Sequence, residues 1–233
     1  MTLRACAAPP GLVIDCDQRL TDAQLDKLLL AEYHGEKVQG IGRYIGMEQN
    51  GAGDCDAAEA QRITSRGFGL WLIQHCPFPG WSPSVGQGYA RGNWAVRNAQ
   101  AIGYPSGAHL ELDLEGVAPG TLAGAVADYC NTWVTRATAG DYPGLLYVGF
   151  DPILDAQELY GLPDFHAYCS DWGPRAVAKR GFCMRQIEAD AVIGGIKCDV
   201  GRCYPDQLGG TLLWAVSVAS ERDTAPDLGT VIA

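Results

Sequence analysis

"HLELDLEG", residues 109–116, sets Glu111, Asp113 and Glu115 at alternate positions between leucines. A period of two sends alternate side chains to opposite sides of a β-strand, so the stretch reads as a strand with one leucine face and one carboxylate face. Strand side chains usually hide from water or satisfy one another, and three carboxylates in a row do neither unaided. Their purpose depends on what surrounds the strand.

Upstream, "LVIDCD" (12–17) is a short apolar run ending in acid. Thr21 with Gln24 three residues on forms a capping box, and Leu25, Leu28, Leu29 and Tyr33 follow at helical spacing, with Gly35 as a stop. "GIGRYIG" (40–46) is the next strand. Asp56 and Glu59 then cap a helix running through Ile63 to Gly67, "GLWLIQH" (69–75) is a third strand, and residues 89–102 read as a helix leading into "AHLELDLE".

Downstream, Thr121 opens a helix carrying Leu122, Val126, Tyr129, Cys130 and Trp133 on one side, and "GLLYVG" (144–149) is the fifth strand. Asp151 as cap with Pro152 as first helical residue predicts a fifth helix. Beyond Gly161 the rhythm changes: "FHAYCSDW", "FCMRQIEAD" and "IKCDVGRC" follow with gaps too short for helices. "GGTLLWAVSVA" takes no assigned place.

Five strand–helix units with right-handed crossovers and three closing strands predict an α/β fold, a TIM-like (β/α)5β3 barrel with eight strands and about five helices. An open doubly wound sheet would want a glycine-rich phosphate loop after the first strand, where this chain has "DCDQRLTD". At 233 residues, one domain spanning 1–233 is expected.

The formal net charge of −10, with 17 scattered basic residues, argues against nucleic acid as a partner. No run of 18 apolar residues occurs, and "MTLRACAAPPG" lacks the features of a secretory signal. A monomer without membrane attachment or cofactor is expected, cytoplasmic when synthesised. The nine cysteines read first as buried free thiols, with disulfides formed after release as the alternative; no CxxC pair suggests zinc.

In such barrels chemistry sits at the carboxyl ends of the strands. That gathers Asp15 and Asp17 from the first strand, Asp113 and Glu115 from the fourth, and Asp199 from the last, with Glu188 and Asp190 from the seventh. Glu111 reads as bonding inside the barrel. Crowded acids raise one another's pKa, so one can hold the proton that a glycosidic leaving oxygen needs while a second supports the oxocarbenium-like transition state. Capping and pairing with Arg are the competing uses of these acids.

Clustered carboxylates also hold Mg²⁺ or Ca²⁺. The four histidines show neither HExxH nor HxH spacing, so no metal is expected, although His75 could line the mouth; no GxSxG elbow occurs that would offer a serine nucleophile. Trp81, Tyr89, Tyr147, Tyr168 and Trp172 are aromatics near the expected mouth, where sugar rings could stack.

"VIDCD", "LDLEG" and "KCDVG", in that order, resemble the site elements of glycoside hydrolase family 25, the lysozyme-like muramidases, and of the related glycoside-hydrolase-like family known as domain of unknown function 1906. The resemblance spans roughly residues 11–205. It implies that Glu115 is the proton donor, that Asp113 and Asp199 orient or stabilise an N-acetyl group, and that Asp15 holds the polar network. "GLLYVGF" and "MRQIEAD" look like further family segments and imply substrate contacts from Tyr147 and Gln186; Trp172 and Asp17 complete the expected substrate-binding set.

This chain departs from the family in having Arg185 and Ile187 around Gln186 where aromatics are usual, and Gly201 where Asn usually stands. Members of the second family often lack the acid at Glu115, so its retention tilts the reading toward catalysis. The expectation is a glycosidase acting on peptidoglycan or another N-acetylated polysaccharide, of the kind used as a phage endolysin. A non-catalytic wall-binding or virion-associated module and, more remotely, a metal-dependent hydrolase are the competing readings.

Overall fold

The computed structural model describes residues 2–170 and 176–218. In chain order its elements are β1 (Leu3–Ala7), β2 (Gly11–Cys16), α1 (Asp22–Leu30), β3 (Val38–Ile45), α2 (Ala57–Ser65), β4 (Gly69–Gln74), α3 (Val85–Ile102), β5 (Leu110–Leu114), α4 (Ala123–Ala139), β6 (Gly144–Val148), α5 (Ala156–Tyr160), β7 (Phe165–Ser170), β8 (Met184–Ile193), β9 (Ile196–Cys203) and β10 (Leu213–Ser217).

The capping box at Thr21 and Gln24 forms as read, and the Asp56 side chain accepts from the Glu59 amide. Elsewhere the helix starts differ from expectation. α3 begins at Val85 because Ser84 caps it, accepting from the Gln87 amide. Thr121 does not cap α4: its hydroxyl donates to Ala118 O at 2.7 Å and closes a turn before Leu122. Asp151 has a φ of +48°, which is not the extended backbone of a cap; Asp155 caps α5 instead, in a box with Glu158. α1 ends at Leu30, ahead of Gly35, which sits in the turn between Tyr33 and Glu36.

β2 to β8 run parallel, each beside the next, and β9 lies antiparallel between β8 and β2, closing an eight-stranded barrel. The expected (β/α)5β3 architecture is therefore present. The expected direction of its last strand is not, because β8 and β9 form a hairpin. Ile193 pairs with Ile196, and the intervening Gly194 and Gly195 take φ of +60° and +82°, the backbone that a two-residue type I′ turn requires. Asp199 thus reaches the mouth from the first half of β9 rather than from a carboxyl end.

The segment left unplaced by sequence forms the floor. β10 pairs antiparallel with β1, meets β4 at Ala215–Leu70, and exchanges two 2.8 Å hydrogen bonds with His109, through the His109 amide and Nδ1. Its Trp214 fills the barrel's lower end, where a Cβ on Gly40 or Gly69 would lie 2.2 Å from the indole. On the outer face of β5, Leu110, Leu112 and Leu114 are buried in the same apolar cluster as Val126 and Trp133 of α4, which fixes which way the carboxylate face turns.

Candidate active site

Because Leu110, Leu112 and Leu114 face the helices, Glu111 and Asp113 face the barrel axis, with Glu115 just beyond the end of β5. β2 contributes Asp15, which pairs with Asp199 of β9 across the antiparallel ladder. β3 contributes Tyr44, β6 Tyr147 and β8 Gln186. These residues line one cavity of about 260 Å³. Among the described residues its wall holds five carboxyl side chains, from Asp15, Glu111, Asp113, Glu115 and Asp199.

Two glycines make room for them. A Cβ on Gly42 would lie 2.5 Å from the Trp71 ring and 2.8 Å from Asp15 Cβ; one on Gly149 would lie 2.5 Å from Glu115 Oε2. Any side chain at either position would displace an acid.

The acids differ in what holds them. Glu111 accepts from Trp71 Nε1 and from the Cys169 thiol, both at 2.8 Å, the structural role its sequence position suggested. Burial still pushes its carboxyl up to about 7, against those two bonds. Asp199 accepts from Gln186 Nε2 at 3.1 Å and from the Asp190 amide at 2.9 Å, while Gln186 in turn accepts from the Tyr147 hydroxyl at 3.1 Å. Asp15 accepts a 3.4 Å bond from Tyr44; burial first, then Asp199 and Glu111, hold its carboxyl well above the usual range.

Asp113 stands apart. It is 6% exposed, its Oδ1 has no hydrogen-bond partner, and burial, then Glu115 and Glu111, raise its pKa well above the ordinary value. Its carboxylate and that of Glu115 approach within 4.8 Å. The backbone carbonyl of Glu115 accepts from Trp81 Nε1 at 2.9 Å, which pins the strand end carrying this pair.

Of the residues singled out by sequence, Asp15, Asp113, Glu115, Asp199, Tyr147 and Gln186 converge on this cavity. Asp17 does not: its side chain is 81% exposed and it borders a second, more open hollow whose wall also includes Asp15, Tyr44 and Asp199. Trp172 lies outside the described residues. Glu188 accepts from the Tyr33 hydroxyl, and Asp190 pairs with Lys197 at 2.7 Å. His75 stacks on Tyr44 and contacts Asp54 at 3.0 Å instead of lining the cavity. Trp81 and Tyr168 are packing residues, Tyr89 lies under the guanidinium of Arg136, and all nine cysteines are free thiols.

Sequence reasoning missed Tyr44, Cys76 and Phe150. Alternation along "GIGRYIG" carried the signal for Tyr44, which shares a face with Gly40 and Gly42. Cys76, two residues past β4, carries no such pattern; only closure of the barrel brings its thiol to 3.6 Å from Glu115 Oε1.

A closed (β/α)5β3 barrel with an acid-lined mouth defines a glycoside-hydrolase-like protein. The chain belongs to the Rv2525c-like, glycoside hydrolase-like domain family, which matches residues 32–192. Its fold is similar to that of the Mycobacterium tuberculosis Tat-secreted protein Rv2525c in complex with L-tartrate (14% identity, TM-score 0.59, covering 85% of this chain and 98% of that one). It is also similar to the Clostridium perfringens spore cortex lytic enzyme SleM (12%, 0.64, 84% and 67%) and to a muramidase from Trichobolus zukalii (11%, 0.57, 83% and 93%). At these identities the likeness is one of fold. No curated protein matches the chain.

Proposed function

We propose that this protein is a glycosidase of the muramidase type, cleaving peptidoglycan or another N-acetylated polysaccharide with Glu115 as proton donor and Asp113 as its partner. The observation that carries the reading is the buried Asp113 Oδ1, without a hydrogen-bond partner, beside Glu115 in a cavity lined by five carboxyls among the described residues. Burial and mutual repulsion oppose a double negative charge, so the pair retains a proton to higher pH than a free carboxyl does. Glu115, at the half-buried lip, passes that proton to the leaving glycosidic oxygen.

Asp113 Oδ1 then accepts a hydrogen bond from the substrate's N-acetyl N–H and steadies the positive charge growing at the anomeric carbon. Carboxyl groups separated by roughly 5 Å suit cleavage with retention rather than inversion, which needs room for a water between them. Asp199, fixed by Gln186 and the Asp190 amide, and Asp15 opposite it form the far wall against which the sugar is oriented. The chain acts as a monomer on the wall after release from the cell.

Turbidity clearing of purified cell walls tests this. Glu115→Gln should lower the rate by about 10²- to 10⁴-fold, the usual contribution of a general acid. Equal clearing by both proteins would remove Glu115 from the mechanism. Saturable wall binding without new reducing ends would point to a binding module; Arg185 and the 40% exposed Ile187, beside Gln186, are what favours that reading.

A further inference from the structure

Cys76 follows β4, while Asp113 and Glu115 close β5, and barrel formation brings one ligand atom of each within 4.8 Å of the others. The Cys76 thiol donates to Glu115 Oε1 at 3.6 Å. Independently of that clustering, Asp113 is more than nine-tenths buried and its Oδ1 has no hydrogen-bond partner. A buried acceptor without a partner is uncommon in folded proteins and asks for a ligand.

We propose that Cys76, Asp113 and Glu115 form a binding site for a thiophilic divalent cation of the zinc class, with a fourth position open to the cavity. Mg²⁺ and Ca²⁺ take six or more oxygens in preference to sulfur, whereas one thiolate and two carboxylates suit a small tetrahedral ion. Such an ion sets its ligand atoms about 3.5 Å apart. The three groups therefore close by about 1 Å, a movement within reach of the half-buried Cys76 and Glu115 side chains. Binding forms a metal–sulfur bond and releases to solvent both the thiol proton and the proton shared by the Asp113–Glu115 pair. The ion takes both carboxylates out of acid–base chemistry, so it inhibits the cleavage proposed above; that consequence rests on the proposed function, whereas the binding does not.

The test uses the full chain, reduced with a phosphine and stripped of metal with a chelator. Cd²⁺ is titrated while the thiolate-to-cadmium charge-transfer band is followed in the ultraviolet, and Zn²⁺ is titrated by calorimetry. One ion per chain is expected, with the band lost in Cys76→Ser and in Cys76→Ala. Asp113→Asn should keep the band and weaken Zn²⁺ by at least about tenfold. Unfolding midpoints of the variants separate lost ligands from lost folding. An intact band without Cys76, an unchanged Zn²⁺ affinity in Asp113→Asn, or no binding to the wild type would each overturn the site. If the metal-free wild type clears no walls, the hydrolase reading fails while the cadmium band still stands.

Discussion

Adjacent residues of β3 face two opposite solutions to burying charge. Arg43, on the outer side, is fully buried, yet every nearby group serves it: Glu59 Oε1 at 2.9 Å, the Gly53 carbonyl at 2.9 Å and the Cys16 carbonyl. Glu59 Oε1 also accepts from the Leu20 amide at 2.7 Å, so this pair fastens the segments after β2 and β3 to α2. On the inner side, Tyr44 borders a cavity that gathers five carboxyls among the described residues, with one acceptor left unpartnered. A saturated buried network serves structure, whereas an unsaturated one lowers stability and is available to a ligand.

Five changes break or sharpen that contrast. The largest effect is expected from Glu59→Ala, which strands a buried guanidinium and should cost about 3–5 kcal/mol in urea unfolding; a loss below about 1 kcal/mol would mean that the outer network is not what holds these segments.

Next is the pH dependence of the inner cluster. The Glu111 pKa rises from 4.5 to about 7 on folding, so the folded state binds the proton more tightly. Its contribution is fully present below about pH 4.5 and is lost as pH rises through about 7, a change on the order of 3 kcal/mol. Asp15 and Asp113 shift in the same direction and add to the slope. Unfolding free energies across this window should fall with pH for the wild type and flatten in Glu111→Gln; a rising profile would contradict the cluster's electrostatics.

Gly149→Ala places a Cβ against Glu115 Oε2 and should cost about 1–3 kcal/mol by overpacking, with wall clearing reduced more than stability accounts for. Asp113→Asn should do the opposite to stability, raising it by about 1 kcal/mol near neutral pH while slowing clearing. A variant both less stable and fully active would break the contrast. The smallest effect belongs to Lys197→Gln: its partner Asp190 and the lysine are both mostly exposed, and the thermal midpoint should not move measurably.

Much of this was legible because local rules act over a few residues. The alternation of "HLELDLEG" fixed both a leucine face and an acid face, and the Thr21–Gln24 and Asp56–Glu59 caps set helix starts without any tertiary help. The same rules misplaced α4 and α5, since Thr121 spends its hydroxyl on a turn and Asp151 takes a left-handed backbone, neither visible from residue type. Asp15, Asp113, Glu115 and Asp199 could be grouped from strand order, whereas Asp17 could not be excluded until the chain turned it outward.

By itself, then, the sequence determined periodicity, capping and the succession of strands and helices, because each depends on neighbours within one turn or one pleat. Tertiary structure alone decided that Trp214 seals the floor, that Asp113 keeps an unpartnered oxygen, and that Cys76 meets Glu115. Those facts follow from barrel closure, which sets distances between residues far apart in the chain, and no local pattern encodes such distances.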